Sequence, residues 1–293
     1  MTAFKTYIKL LRPHQYLKNG FIWLPVFFGY QLTNAAAVLH VVLAFLAFCL
    51  VASSVYVIND LRDVASDRRH PIKRNRPLAS GAVPPKKAVW VAAILAAVAI
   101  CMSLFLLPLI TTAILLAYLV MNIVYSFGLK HVPIADIVCI ALGFVLRIFA
   151  GGTAAQVPIS PWIVIMTFLM ALFLALAKRR DDLRLVDQGH QVRKAIDGYN
   201  AEFISLAMGV MASVIIVAYI LYTVSPEIVA KHGTKRLYMS SVWVILGILR
   251  YLQITFVEED SGSPTRVLIR DRALQAIIAL WLVNIYLLLY YKS

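Results

Sequence analysis

Long apolar runs separated by short charged loops constrain this chain more than any other feature. Of its 293 residues, 61% are hydrophobic and only 14% are charged, and the mean hydropathy is +0.81. A soluble domain carries about a quarter charged residues, so a lipid bilayer must be the main solvent of this chain. An α-helix needs about 20 residues to cross a bilayer. The chain therefore has room for about nine spans and for no sizeable soluble domain.

The hydropathy pattern predicts an all-α polytopic membrane protein with one membrane-embedded domain over residues 1–293. Apolar side chains recur at i, i+3, i+4 and i+7 from Phe4, so residues 1–20 are predicted to form an amphipathic helix in the membrane interface. The first predicted span is short and contains Pro25. Nine spans are predicted, at 21–32, 38–58, 88–107, 110–127, 134–155, 162–177, 203–224, 238–256 and 273–291.

The placement of basic residues predicts the orientation of these spans. With the N-terminus inside, 22 of the 28 lysines and arginines fall in cytoplasmic segments and four fall outside. The N-terminus and the 59–87 and 178–202 loops are therefore predicted to be cytoplasmic, in the cell inner (cytoplasmic) membrane. The net charge of +14 is explained by this topology and by anionic headgroups or phosphate substrates, so no nucleic acid partner is predicted.

An acidic motif, Asn59-Asp60-Leu61-Arg62-Asp63-Val64-Ala65-Ser66-Asp67, follows the second predicted span. Asp60, Asp63 and Asp67 are spaced i, i+3, i+7, which places them on one face of a helix. Three like charges on one face repel each other, and a hard divalent cation relieves that repulsion. Carboxylate and diphosphate oxygens are the ligands that Mg²⁺ prefers. The alternative is a solvated acidic turn at a helix end.

The segment after this motif is basic and contains Lys73, Arg74 and Arg76. Cations of this kind bind phosphate oxygens in charge-assisted hydrogen bonds. Carboxylates for a metal beside cations for phosphate indicate a site for a magnesium–diphosphate group.

A second charged cluster runs from Lys178 to Asp187, after the sixth predicted span, and mixes both signs. Its acidic residues are less regularly spaced than those of the first motif. The cluster is equally well explained as a cytoplasmic anchor with paired acids.

Two further basic residues lie at informative places. Lys130 stands at the inner end of the fourth predicted span, where a lone lysine is usually an anchor whose charge reaches the membrane surface. Arg147 lies within the fifth predicted span, roughly 20 Å along it from Ile134. A charge at that depth is costly and faces either a structural partner or a functional cavity. Arg250, within the eighth predicted span, likewise faces either a structural partner or a functional cavity.

These motifs resemble the UbiA superfamily of intramembrane prenyltransferases. The resemblance rests first on Asn-Asp-x-x-Asp-x-x-x-Asp at 59–67 and on Tyr-Ser-x-x-Leu-Lys at 125–130. More narrowly, the chain resembles the decaprenyl-phosphate phosphoribosyltransferase branch. That likeness extends through the chain, over 11–19, 67–74, 127–131, 146–152, 192–199 and 269–272. The second cluster departs from the spaced aspartates usual in the superfamily, and Asp182 stands where this branch tends to carry a glutamate.

The resemblance implies nine helices around a central cavity open to the cytoplasmic side, and an enzyme that needs Mg²⁺. The implied reaction transfers 5-phosphoribose from 5-phosphoribosyl 1-diphosphate to a polyprenyl phosphate and releases diphosphate, as part of arabinose-donor biosynthesis for the cell envelope. By the same likeness Asn59, Asp60, Asp63 and Asp67 hold the metal. Asp182 joins the three aspartates as a catalytic residue. The implied substrate-binding residues are Lys18, Lys73, Arg74, Arg76, Lys130, Arg147, Lys178 and Arg179.

Two other functions remain open on the sequence. A conventional superfamily member would prenylate an aromatic acceptor, with the same metal site and an apolar acceptor pocket. An anion transporter would use buried arginines at mid-membrane, whereas the informative residues here cluster at the predicted inner surface. The sequence also leaves open the polyprenyl chain length, the oligomeric state (homo-oligomers included), the downstream pathway and any part played by Asp181 or Asp187.

Overall fold

The computed structural model describes residues 3–69, 73–187, 194–259 and 264–290, and within these ranges it contains helices and no strand. The all-α prediction is confirmed. The α-helices are α1 Ala3–Leu11, α2 Leu24–Phe28, α3 Ala35–Arg69, α4 Pro85–Leu106, α5 Leu109–Phe127, α6 Ala135–Ala154, α7 Pro161–Asp187, α8 Ala201–Val224, α9 Pro226–His232, α10 Ser241–Phe256, α11 Pro264–Arg270 and α12 Arg272–Tyr290. In the described ranges there are also five 3₁₀-helices, at Pro13–Trp23, Lys73–Asn75, Leu129–His131, Lys194–Gly198 and Arg236–Ser240.

Eight helices of the described residues are long and apolar enough to cross a membrane, and they match the second to ninth predicted spans. The first predicted span, 21–32, is not one long α-helix. The chain forms the 3₁₀-helix Pro13–Trp23 and then the five-residue α2, because Pro25 lacks the N–H that would continue a helix and instead starts a new one. At about 2.0 Å per 3₁₀ residue and 1.5 Å per α residue, the two segments together extend roughly 30 Å.

Helix α3 extends 11 residues beyond its predicted span and carries the whole acidic motif. The apolar run ends at Ile58, but the next turns contain no helix-breaking residue. The helix therefore continues beyond the point where the apolar span ends. Helix α7 likewise continues past 177 to Asp187. The aspartates of the first motif are therefore held by a rigid helix that is anchored in the membrane.

Two compact units make up the chain. The first contains Met1–Val164 and Val186–Gly198. In it α3 contacts α1, α4, α5, α6 and the 3₁₀-helix Pro13–Trp23. Its apolar core includes Val41, Ala44, Phe48 and Leu115. Helix α3 thus presents one side to the segment that carries Arg12, Lys18 and Asn19.

A glycine sets the distance between this N-terminal segment and α6. A Cβ atom at Gly151 would lie 2.0 Å from the backbone oxygen of Ile22, so only glycine permits the observed approach. Helix α1 ends at Leu11, earlier than the predicted amphipathic helix of residues 1–20, because Arg12 adopts φ 55° and ψ 56° and Pro13 follows.

The second unit contains Ile165–Leu185 and Tyr199–Ser293. Helix α10 packs against α8 and α12. Hydrogen bonds link α12, α8 and the 3₁₀-helix Arg236–Ser240: the Trp281 indole N–H donates to the Tyr219 hydroxyl at 2.9 Å, and that hydroxyl lies 2.8 Å from the Ser240 hydroxyl. Such bonds satisfy polar groups that have no access to water inside a membrane. A single domain over 1–293 stays a prediction.

Candidate functional site

The acidic face of α3 is buried and is neutralised by cations from other segments. Asp60, only 1% exposed, accepts hydrogen bonds at Oδ1 from the guanidinium groups of Arg12 and Arg76. Arg76 Nη1 lies 3.0 Å from that oxygen and 2.6 Å from Oδ2 of Asp67. One guanidinium nitrogen therefore joins two carboxylates of the motif.

Asp63 is neutralised separately, by Lys130. This lysine is 3% exposed, and its ammonium donates to Asp63 Oδ1 and lies 3.4 Å from the side-chain oxygen of Asn59. The 3₁₀-helix Leu129–His131, directly after α5, holds Lys130 in place. Because Lys130 reaches two residues of the motif, it is not the surface anchor that its sequence position also allowed.

Local backbone geometry positions Arg12 and Arg76. The left-handed conformation of Arg12 costs a non-glycine residue about 1–2 kcal/mol, and its N–H donates to the carbonyl of Ile8 at 3.3 Å, which closes the end of α1. The turn that carries Arg76 is held to α3 by Arg68, whose Nε donates to the carbonyl of Ala79 at 3.1 Å. Lys9 also donates to the carbonyl of Asn75 at 2.8 Å.

Within the described ranges, no three His, Cys, Asp or Glu side chains lie close enough together to form a metal site by themselves. The oxygen donors of the acidic face nevertheless suit a divalent cation. Asp60 and Asp67 bind Arg76, whereas Asp63 binds Lys130. The second oxygen of Asp60, Oδ2, is buried and has no hydrogen-bond partner. A buried carboxylate oxygen without a partner is unfavourable unless a cation binds it. Hard oxygen donors of this kind suit Mg²⁺.

Arg147 of α6 lies beside α3, with its guanidinium carbon 5.9 Å from the centre of the Phe48 ring. Arg147 is 4% exposed and donates to the Asn19 side-chain oxygen at 2.8 Å, the Gly143 carbonyl at 2.7 Å and the Tyr118 hydroxyl at 3.0 Å. Lys18 is half-buried, and burial together with the charges of Arg147 and Arg12 lowers its pKa to about 8.

The second charged cluster lies at the end of α7, and its residues up to Leu185 belong to the second unit. Arg179 is buried and pairs with Asp182 one turn later on its own helix. Arg180 donates to the Ser205 hydroxyl at 3.0 Å and lies over the ring of Phe256 at 4.2 Å. Arg184 binds the carboxylate of Glu259 at 2.7 Å. Lys178 and Asp181 are half-buried on this helix, and the side chain of Asp187 lies outside the described residues.

The structure brings most of the predicted residues of the first unit together. Asn59, Asp60, Asp63 and Asp67 share one helix face with Arg76 and Lys130. Lys73 is half-buried in the 3₁₀-helix Lys73–Asn75. Arg74 is exposed and has no hydrogen bond or ion pair to any residue that the structure describes. The predicted stretches at 70–72 and 192–193 lie outside the described residues.

Arg12 is the residue that the sequence prediction of the site missed. It lies 48 residues before Asp60, so spacing gives no indication of the contact. One signal was available, because Arg12 lies in the 11–19 stretch that carries the family resemblance. Asn19, which orients Arg147, lies in the same stretch.

Most of the chain is similar to known proteins. A family model described as the UbiA prenyltransferase family matches residues 22–268. Decaprenyl-phosphate phosphoribosyltransferase of Mycolicibacterium smegmatis is 33% identical over 97% of this chain and 92% of its own length. The protein of the same name from Corynebacterium glutamicum is 32% identical over 97% of this chain and 86% of its own.

A solved structure has the same fold. The UbiA homolog from Archaeoglobus fulgidus bound to DMAPP and Mg²⁺ superposes with a TM-score of 0.72 at 20% sequence identity. The superposition covers 98% of this chain and 100% of the other. The predicted membrane-embedded all-α architecture is confirmed by this likeness.

Proposed function

Because the chain belongs to the UbiA prenyltransferase family, and is thus a membrane-embedded transferase, we propose that it moves 5-phosphoribose from 5-phosphoribosyl 1-diphosphate to a polyprenyl phosphate. Two relatives of nearly full-length similarity carry the name decaprenyl-phosphate phosphoribosyltransferase. The proposed reaction forms a bond from a phosphate oxygen of the lipid to C1 of the ribose. It breaks the bond from C1 to the diphosphate, which leaves.

One observation carries the proposal: three carboxylates on a single helix face are neutralised by three cations from elsewhere in the chain. Arg12, Arg76 and Lys130 come from three separate segments and all reach this face. A purely structural acidic face needs no such convergence. A metal–diphosphate group needs carboxylates, which bind the metal, and cations, which bind the phosphate oxygens.

Asp60, Asp63 and Asp67, with Asn59, would hold Mg²⁺, which supplies charge neutralisation for the departing diphosphate. Arg12, Arg76 and Lys130 would bind diphosphate oxygens and stabilise the negative charge that develops on them. The acceptor phosphate is ionised at neutral pH, so the reaction requires no strong general base. That agrees with a site made of carboxylates and cations.

The same proposal assigns the binding of substrate phosphates to four more basic residues, Lys73, Arg74, Lys178 and Arg179. It also assigns an assisting role at the second cluster to Asp182. The site opens to the cytoplasm from the inner membrane, and its product serves in arabinose-donor and cell-envelope biosynthesis. The loop charges support this orientation.

A label-transfer assay tests the reaction. Purified full-length protein is incubated with Mg²⁺, a short polyprenyl phosphate and ribose-labelled 5-phosphoribosyl 1-diphosphate, and a labelled lipid is expected together with free diphosphate. A parallel reaction offers a prenyl diphosphate and an aromatic acid. Consumption of the prenyl diphosphate, without any labelled lipid in the first reaction, would replace the proposal with aromatic prenylation.

A further inference from the structure

The segment Pro264–Arg272 forms the short helix α11 and its bend into α12, and it has no part in the proposed reaction. It includes Ile269-Arg270-Asp271-Arg272, one of the stretches on which the family resemblance rests. Helix α12 is apolar enough to cross a membrane from Arg272 onwards. The segment therefore lies at the membrane surface, on the side that the loop charges predict to be cytoplasmic.

Hydrogen bonds hold the bend between α11 and α12 in place. The Asp271 carboxylate accepts from the backbone N–H of Leu274 at 2.6 Å and so caps the start of α12. The side-chain amide of Gln275 donates to the carbonyls of Leu268 and Ile269, at 2.9 and 2.7 Å. The last turn of α11 is thereby fixed to the first turn of α12.

The exposed side of this segment combines arginines with an aliphatic side chain. Arg266, Ile269 and Arg270 are spaced i, i+3, i+4 and share one face of α11. Ile269 is 60% exposed, whereas Val267 is buried. Arg272, the first residue of α12, is exposed as well. We refer to Arg266, Arg270 and Arg272 as the α11–α12 arginines.

The described acidic residues closest to this segment are neutralised by other arginines. Asp271 and Glu258 bind Arg250, at 2.5 and 2.6 Å. Glu259 binds Arg184 of α7 at 2.7 Å. The α11–α12 arginines form no hydrogen bond or ion pair with any residue that the structure describes. Three positive charges at the membrane surface are therefore left without a counter-charge from the described part of the protein.

A solvated cluster of charges is the alternative explanation, because water and salt screen like charges at a surface. That explanation leaves Ile269 in water between two arginines. An anionic lipid accounts for the whole arrangement. Its phosphate accepts hydrogen bonds from guanidinium groups, and its acyl chains cover the aliphatic side chain.

We propose that the α11–α12 arginines, together with Ile269, bind the headgroup of an anionic phospholipid in the leaflet where α12 begins. Charge complementarity identifies the occupant, since a guanidinium group matches two phosphate oxygens at once. Each basic residue near an anionic leaflet strengthens binding about fivefold. The site lies wholly in the second unit and is independent of the proposed reaction.

Native mass spectrometry of the full-length protein tests the site by counting bound lipids. Protein in a neutral detergent is titrated with phosphatidylglycerol and, separately, with phosphatidylcholine of the same acyl chains. Wild type is compared with the triple variant Arg266→Gln/Arg270→Gln/Arg272→Gln. We expect the triple variant to bind phosphatidylglycerol at least about tenfold more weakly. Phosphatidylcholine should bind both proteins equally.

A charge-matched control removes three cations that precede the other end of α10. The variant Lys231→Gln/Lys235→Gln/Arg236→Gln changes three exposed residues at the predicted outer surface. It is expected to bind phosphatidylglycerol as tightly as wild type. Equal losses in the two triple variants would show that only the total charge matters, and would overturn the site.

Thermal unfolding separates lipid binding from a structural role. Without added lipid, the first triple variant should keep the wild-type melting temperature, because the α11–α12 arginines form no bond to the described residues. Arg270→Gln alone makes the same test with a smaller change, and its binding should be about fivefold weaker. Equal phosphatidylglycerol binding by wild type and the triple variant overturns the proposal. So does a loss confined to farnesyl phosphate, which would make the segment a substrate subsite.

Discussion

The two charged clusters differ in where their counter-charges come from. In the first unit, the aspartates of α3 are met by Arg12, Arg76 and Lys130, which lie 48, 16 and 67 residues away from their partners. In the second unit, Arg179 at the end of α7 pairs with Asp182 only three residues later. The first cluster is assembled by tertiary structure, whereas this pair forms within one helix.

The difference shows which ion pairs indicate a functional site. Pairs at i, i+3 stabilise an isolated helix by a few tenths of a kcal/mol and require no ligand to explain them. Cations that converge on buried carboxylates cost free energy, because both charges lose their hydration. They therefore indicate a site where charge is needed for function. The first cluster is therefore the stronger candidate for chemistry, and three variants test this difference.

The largest effect is expected from Asp63→Asn. We expect kcat/KM in the label-transfer assay to fall by roughly 10³-fold, because a metal ligand is lost. Folding should persist, since Asp63 is half-buried and an amide oxygen still accepts from Lys130. Asp182→Asn serves as the matched change in the second cluster and should lower kcat/KM by about tenfold or less. Equal losses in the two variants would remove the distinction between the clusters.

A smaller effect is expected from Arg76→Gln, which leaves Asp60 and Asp67 without the nitrogen that joins them. The two carboxylates then repel each other, so we expect a melting temperature about 3 °C lower and roughly 10²-fold lower activity. Arg76→Lys keeps the charge without the planar fork and should recover part of the stability. An unchanged melting temperature in Arg76→Gln would show that the bridge does not hold the face together.

The smallest effect concerns a structural pair of the second unit. Arg250 binds Asp271 at 2.5 Å and lowers the pKa of that carboxyl. A lowered carboxyl pKa contributes stability above the unfolded value near 4, and that contribution is lost as the pH falls through the folded value. Asp271→Asn should thus lower the melting temperature by about 2 °C at pH 7 and have less effect near pH 3. Exposed Glu227→Gln is the control, and activity should not change.

The burial of the acidic face could not be predicted from the i, i+3, i+7 spacing of its aspartates, because spacing defines the face but not the segments that pack against it. Asp60 and Asp67 are in fact buried, and Asp60 binds two arginines from different segments. Asp60→Asn therefore tests stability and chemistry together, which is why Asp63→Asn is the cleaner variant.

The membrane as solvent, the second to ninth spans and the acidic face could all be predicted from the amino-acid sequence. These features are local, because apolar runs set the spans and the i, i+3, i+7 spacing aligns Asp60, Asp63 and Asp67 once a helix forms. Tertiary contacts, by contrast, determine which cations reach that face and that Arg147 donates to Asn19. Such contacts join residues up to 128 positions apart. Their partners depend on a left-handed turn at Arg12 and on the close approach that Gly151 permits, and no local periodicity encodes either.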